Sequence, residues 1–319
     1  MYTRITKFSI FLVISCFIVS MKSFKAYSPI IAIISTPNPP NATNVTEKSF
    51  IWEGYMRWIE QAGARIIPIH PWYNQSYVDT ILSKVNGVLF LGSNRKINIS
   101  NTYEKFGSYI IGKAIEMNKK KDYFPIFGIC FGYELFLAHI ANDNGIIGEF
   151  DAMKIMVPSE LAPNATNSKL FSNFNKKDFE NISKLPLTYQ IHRRGITPED
   201  FDKFESAKQF FTVTSYAHDK NGKKYINSIE AKEYPIYGIQ YHPEVSPFAR
   251  TDGFGFNHTI EAIRISQLHA LLFLSEAENN LHKERDKKVL DNLGMISSYT
   301  LPEGKGVSYT KGYYNFEKQ

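Results

Sequence analysis

From Ile30 onward, short apolar runs alternate with segments whose apolar residues recur at helical spacing. Ile30 to Ser35 (IIAIIS) reads as a buried strand, ended by the turn-rich Thr36-Pro-Asn-Pro-Pro-Asn41. Ile51, Tyr55, Trp58, Ile59 and Ala62 then fall at helical spacing, and Gly63 stops that pattern before a second strand, Ala64 to Ile69. Val78 to Val85 predicts a short helix and Gly87 to Leu91 (GVLFL) a third strand. Glu104 to Lys121 predicts a longer helix, whose closing lysines suit the negative end of the helix dipole. Pro125 to Ile129 is a fourth strand. Short apolar strands separated by helices predict right-handed βαβ units and a mostly parallel sheet covered on both faces.

The texture changes near residue 148. Strand-like pieces at Lys154 to Val157, Phe210 to Ser215, Tyr225 to Ala231 and Ile236 to Tyr241 are joined by polar loops, which predicts antiparallel additions to the sheet. A last amphipathic helix, about Asn257 to Asn280, carries Ile260, Ile263, Leu268, Leu271, Leu272 and Leu274 to cover the sheet, and the Gly- and Tyr-rich tail beyond Leu290 suggests no regular structure. No internal repeat or linker interrupts residues 28–319, which read as one domain.

The N-terminus changes how composition is read. Arg4 and Lys7 precede an unbroken apolar or small run, Phe8 to Ser20, of 13 residues. A bilayer core of about 30 Å needs roughly 20 helical residues, so this run reads as a secretory signal peptide ending near residue 27, with an uncleaved anchor as the alternative. The whole chain has 37 basic and 31 acidic residues, a formal charge of +6; without residues 1–27 the balance is 33 to 31, or +2. A basic nucleic-acid partner surface therefore loses its basis, and no basic stripe replaces it. Of two cysteines, Cys16 lies in the leader and Cys130 remains, so no disulfide can form within the mature chain. Asn-x-Ser/Thr sequons at Asn41, Asn44, Asn74, Asn98, Asn164, Asn181 and Asn257 suit a glycoprotein of the secretory pathway. No Gly-rich phosphate loop and no His/Cys cluster at ligand spacing point to a cofactor or metal.

The candidate chemistry lies at Pro125-Ile-Phe-Gly-Ile-Cys-Phe-Gly-Tyr-Glu-Leu-Phe136, where an apolar strand runs through Gly128-Ile-Cys-Phe-Gly132 into a helical pattern. That is the strand, sharp turn and helix of a nucleophile elbow, with Cys130 at its apex. Gly128 and Gly132 would let neighbouring backbone approach a strained turn. A buried, inert cysteine is the competing reading. A thiol nucleophile needs a base, and His242 stands at the end of the Ile236 to Tyr241 strand, where sites of open α/β sheets assemble. Glu244, past Pro243, is placed to orient the imidazole, although a histidine at a strand end can equally be a solvated loop residue.

Gly128-Ile-Cys-Phe-Gly132 with Gln240-Tyr-His-Pro-Glu244 resembles the class I glutamine amidotransferase superfamily. Tyr55-Met-Arg-Trp-Ile-Glu-Gln-Ala-Gly-Ala-Arg-Ile-Ile-Pro68, Asn86-Gly-Val-Leu-Phe-Leu-Gly92, Tyr123-Phe-Pro-Ile-Phe-Gly-Ile-Cys130 and Tyr234-Pro-Ile-Tyr-Gly-Ile-Gln-Tyr-His-Pro-Glu244 resemble the γ-glutamyl hydrolase family, over roughly residues 30–276. The resemblance implies a flavodoxin-like sheet and a cysteine peptidase without cofactor, secreted or delivered to a lysosome or vacuole. Its substrates would be folate poly-γ-glutamates and antifolate analogues, cleaved through a thioester on Cys130 with His242 as general base and acid and Glu244 as its orienter. Backbone N–H groups of Gly92, Ser93 and Phe131 would form the oxyanion hole. Family members carry two glycines in that loop; Ser93 stands at the second, where a positive φ would strain it. His192 occupies the place of a substrate-side histidine, and Arg193 and Arg194 depart from the family pattern, either reading α-carboxylates of the polyglutamate or lying in a solvated loop. A homodimer is implied by the family alone. A glutaminase subunit feeding a synthase and a non-catalytic secreted glycoprotein on the same scaffold are the alternatives.

Overall fold

In the computed structural model, residues 28–38, 48–249, 255–296, 307–310 and 313–316 are described. The apolar leader and the sequons at Asn41 and Asn44 lie outside them. In chain order the first strands are β1 (Ile30–Ile34), β2 (Thr36–Pro37), β3 (Ser49–Trp52), β4 (Arg65–Ile69), β5 (Gly87–Phe90) and β6 (Ile126–Ile129). They are followed by β7 (Gly148–Val157), β8 (Glu160–Leu161), β9 (Thr188–Gly195), β10 (Phe211–His218), β11 (Lys224–Ala231), β12 (Ile236–Ile239), β13 (Val307–Thr310) and β14 (Tyr313–Phe316). The longer helices are α1 (Glu53–Glu60), α2 (Gln75–Leu82), α3 (Thr102–Lys119), α4 (Phe131–Ala141), α5 (Lys176–Lys184) and α6 (Ile260–Ala277).

The central sheet runs β4-β1-β5-β6-β12-β11-β10-β8. Its first five strands are mutually parallel and the last three join antiparallel. Side chains alternate across a strand, so β1 can be apolar throughout and still serve two cores. Ile30, Ala32 and Ile34 pack with Val78 and Ile81 of α2, Ile110 of α3 and Phe136 of α4. Ile31 and Ile33 pack with Met56 and Trp58 of α1 and Leu268 and Leu272 of α6. This is the expected α/β architecture, and the order around β1 is the flavodoxin-like one, with ligands expected beyond the carboxyl ends of the strands.

Several boundaries differ from the pattern. Ile51 belongs to β3 and not to the helix after it, because β3 pairs with β2 and β14; the helix begins at Glu53 after an extended Trp52. β12 joins the sheet parallel to β6, so the antiparallel additions start only at β11. The Lys154 to Val157 piece is the end of β7, which leaves the main sheet to pair with β9, a strand whose alternating polar residues hid it. Thr259 caps α6 by accepting the Ala262 N–H, which starts the helix at Ile260. On that helix Leu268 and Leu272 are buried, while Ile260 and Leu271 are 73% and 46% exposed and do not cover the sheet. Beyond Leu290 regular structure does occur among the described residues: β13 and β14 pair antiparallel and extend a four-stranded sheet, β13-β14-β3-β2.

Three histidines are buried neutral in these cores. His70 stacks on Trp72 and lies 2.9 Å from Ser35 Oγ, His269 lies 2.6 Å from Tyr241 Oη, and His192 sits inside β9. Burial pushes each down to about 3. Below the ordinary value of 6.5 the unfolded chain takes up protons that these rings refuse, so their neutral burial is without penalty above pH 6.5 and destabilises progressively towards pH 3. The urea midpoint should fall from pH 7 to pH 5, by about 2 kcal/mol of stability for each histidine. A flat profile over that range would contradict their neutral burial.

Candidate active site

Cys130 occupies the single residue between β6 and α4, at φ 51° and ψ −107°. A non-glycine residue seldom adopts this region, and holding it there costs about 1–3 kcal/mol. Backbone contacts impose it: the Cys130 N–H donates to the Ile239 carbonyl at 2.8 Å, and the Gly132 N–H donates to the Leu91 carbonyl at 3.1 Å. A Cβ on Gly132 would lie 2.6 Å from Phe90 O, and one on Gly128 would lie 2.8 Å from the Tyr133 nitrogen, so both glycines are needed for close approach. Cys130 is a free thiol, 3% exposed.

His242 follows β12 by three residues. Its Nδ1 donates to Glu244 Oε1 at 2.7 Å, and its N–H donates to the Tyr189 carbonyl at 2.9 Å. This fixes the ring and leaves Nε2, which has no hydrogen bond among the described residues, as the nitrogen for a proton transfer. Burial alone would push the imidazole down; the Glu244 carboxylate and the charge on the Cys130 sulfur outweigh it and hold the ring up at about 10. Gly92 packs between the pair: a Cβ there would lie 2.6 Å from His242 Cε1 and 3.4 Å from Cys130 Cβ.

The loop after β5 departs from expectation in one respect. The Gly92 N–H donates to Tyr55 Oη at 3.1 Å, so in this arrangement it is not free to hold an oxyanion. Ser93, which lines the cavity with Cys130, and Phe131, whose N–H at the first helical position has no partner within its helix, remain as candidate donors. Ser93 is not among the residues with positive φ, so the strain a second glycine would relieve is absent. Tyr55 itself was legible only as a core position of α1. Its hydroxyl also lies 3.3 Å from His242 Nδ1, and burial, then the Glu244 and Cys130 charges, push the phenol well above its ordinary value.

The thiol opens on a cavity of about 330 Å³ lined by Ser93, Asn94, Met153, Ile191, His192, Arg193 and Arg194. His192 is there, but its ring nitrogens are committed within β9: Nδ1 lies 2.6 Å from the Arg194 carbonyl and Nε2 3.0 Å from the Gln190 side-chain amide. The Arg194 carbonyl and Gln190 Oε1 both accept, so the neutral ring donates to one of them, while Gln190 Nε2 donates to Thr188 Oγ1 and Asn227 Oδ1. Arg194 is also less available than its sequence suggests. Its Nε lies 3.5 Å from Glu134 Oε2, a fully buried carboxylate whose other oxygen accepts from Gln240 Nε2 at 3.2 Å. Burial raises the Glu134 carboxyl against the pull of Arg194 and Gln240. Glu134 falls one helical turn after Cys130, a spacing that could have placed it on the same face of α4. Arg193, its neighbour in β9, is exposed and keeps its guanidinium at the cavity mouth.

Among the described sequons, Asn74, Asn98 and Asn164 are exposed and Asn181 is half-buried, whereas the Asn257 amide donates to the Pro186 carbonyl. No helix among the described residues is long and apolar enough to cross a membrane.

Residues 69–262 match the family profile described as glutamine amidotransferase class-I. γ-Glutamyl hydrolase B of Dictyostelium discoideum is 32% identical over 244 residues, spanning 76% of this chain and 70% of that protein. γ-Glutamyl hydrolase 1 of Arabidopsis thaliana is 33% identical over 249 residues, 78% and 70% of the two chains. The γ-glutamyl hydrolase of Rattus norvegicus is 30% identical over 248 residues, 77% of each.

Replacing Glu244 by Gln keeps the hydrogen-bond acceptor and removes the charge that supports the imidazolium. The His242 ring should then lose its proton well below the pH of about 10 at which the intact site releases it. Titration of the His242 ring protons by NMR reads this directly, and an unchanged midpoint would remove Glu244 from the account.

Proposed function

The chain belongs to the class-I glutamine amidotransferase family, among its γ-glutamyl hydrolases, and is a hydrolase; from that premise we propose that it cleaves γ-glutamyl bonds of folate poly-γ-glutamates and their antifolate analogues as a cysteine peptidase. The observation that carries this reading is a thiol at a strained strand-to-helix elbow beside an imidazole held by a carboxylate 2.7 Å away.

In this reading the Cys130 proton already rests on His242 Nε2, in an imidazolium supported by the Glu244 carboxylate, and the Cys130 thiolate attacks the γ-carbonyl carbon. The carbonyl electrons move onto oxygen, where the N–H groups of Ser93 and Phe131 accept the charge. As the tetrahedral species collapses, the C–N bond breaks and His242 returns the proton to the leaving amine, which leaves a γ-glutamyl thioester. Water, deprotonated by His242, then attacks the thioester and releases the acid and the thiol. Glu244 keeps Nδ1 protonated throughout, so Nε2 is always the transferring nitrogen.

The cavity lining suits an anionic substrate. Among the described residues it carries Arg193 and Arg194 and no acidic one. With Arg194 drawn to Glu134, Arg193 is the guanidinium we assign to an α-carboxylate of the glutamate chain, a pairing that its fork geometry favours. The apolar leader and the exposed sequons support a glycosylated product of the secretory pathway, secreted or delivered to a lysosome or vacuole. Homodimeric assembly belongs to the same reading.

Cys130→Ala should reduce turnover of folate pentaglutamate by at least about 10³-fold while leaving the circular dichroism spectrum and melting temperature close to those of the parent. Product lengths followed by chromatography give the turnover. Retained cleavage by the alanine variant would overturn the assignment of the nucleophile.

A further inference from the structure

The loop that follows β5 is tied to α3 by a charge that the reaction scheme does not use. Glu104, in the first turn of α3, has a fully buried side chain, and neither carboxylate oxygen makes a hydrogen bond among the described residues. Arg95 Nη2 lies 3.7 Å from Glu104 Oε2, and its Nε is likewise buried without a hydrogen-bond partner. A buried carboxylate is strongly destabilising unless a cation stays beside it, so burying Glu104 fixes the position of the Arg95 guanidinium. The same guanidinium lies 5.3 Å above the Tyr103 ring, and that ring stacks on Phe131 with centroids 5.9 Å apart and planes 29° from parallel. At its other end Arg95 donates its backbone N–H to Ser93 Oγ at 3.2 Å.

Ser93 and Phe131 are the two residues left to hold the oxyanion once Gly92 is engaged by Tyr55. Arg95 is bonded to the first and, through Tyr103, is stacked against the second. The backbone N–H makes the first link and the guanidinium the second, a role guanidinium suits because it pairs with a carboxylate and packs on an aromatic face at once. We infer that Arg95, anchored by Glu104, is a positioning residue that sets the spacing between the Ser93 and Phe131 segments in which the oxyanion is held. The inference rests on the proposed acyl-transfer reaction. Arg95 touches no reacting atom, so its loss should slow formation of the tetrahedral species without changing the reactivity of the thiol or the affinity for the substrate tail.

The test compares Arg95→Met, Arg95→Lys and the double variant Arg95→Met/Glu104→Leu with the parent enzyme. Two assays are used: hydrolysis of folate pentaglutamate, and alkylation of Cys130 by iodoacetamide, which needs the thiol but forms no oxyanion. Arg95→Met should lower kcat about 10-fold, less than the 10²–10³ that loss of a direct oxyanion donor costs. KM should stay within about twofold and the alkylation rate should be unchanged, with Arg95→Lys recovering part of kcat. The double variant removes the stranded carboxylate; if Arg95→Met is poorly folded, the double variant should fold and still show the low kcat. A double variant with parental kcat, or a kcat loss matched by slower alkylation, would overturn the inference. Turnover by the parent enzyme in the same assay tests the reaction itself, separately from the ratio between variants.

Discussion

Holding Cys130 at a positive φ between a strand and a helix is possible only because the surrounding backbone comes unusually close. Gly128 and Gly132 give up side chains so that α4 can pack against β6 and Phe90, and carbonyls from β12 and the end of β5 take the N–H groups on either side of the turn. These contacts require β5, β6 and β12 to lie side by side in register, which the parallel core supplies through strands buried on both faces. The strain at one residue is thus held by the packing of three strands and a helix.

Electrostatics follow from that geometry. β12 ends close enough to the elbow for His242 to feel both the thiol and Glu244, and burial makes those charges matter more than they would in water. The same low-dielectric layer contains Glu134, with Arg194 and Gln240 as its partners, and His192, kept neutral. Glu134 of α4 is matched to Arg194 of β9 and to Gln240 at the end of β12, so these three elements cannot shift independently without leaving that carboxylate unpaired.

The parts legible in the sequence were those whose signal is local. The apolar runs of β1, β5 and β6 stand out because strands covered on both faces carry no polar alternation, and Cys130, His242 and Glu244 sit in short motifs whose partners are a few residues away. What stayed hidden depends on distant pairing. Tyr55 meets Gly92 across 37 positions and Arg194 meets Glu134 across 60, so a phenol looked like a core residue and an arginine like a free one. β9 escaped notice because it pairs with β7 outside the main sheet and needs no apolar run. The tail strands reveal themselves only through β3, which supplies the edge on which they pair.

Between residues 28 and 319, Cys130 is the single thiol. Within residues 28–319 an oxidised Cys130 has no second cysteine with which to condense into an intramolecular disulfide, the step by which many sensor thiols are rescued. Its first oxidation product would depend on an external thiol for repair and would otherwise pass to forms that cannot be reduced. The near-complete burial that shapes the elbow is then also its shelter from oxidants: the geometry that makes the sulfur useful limits what can reach it.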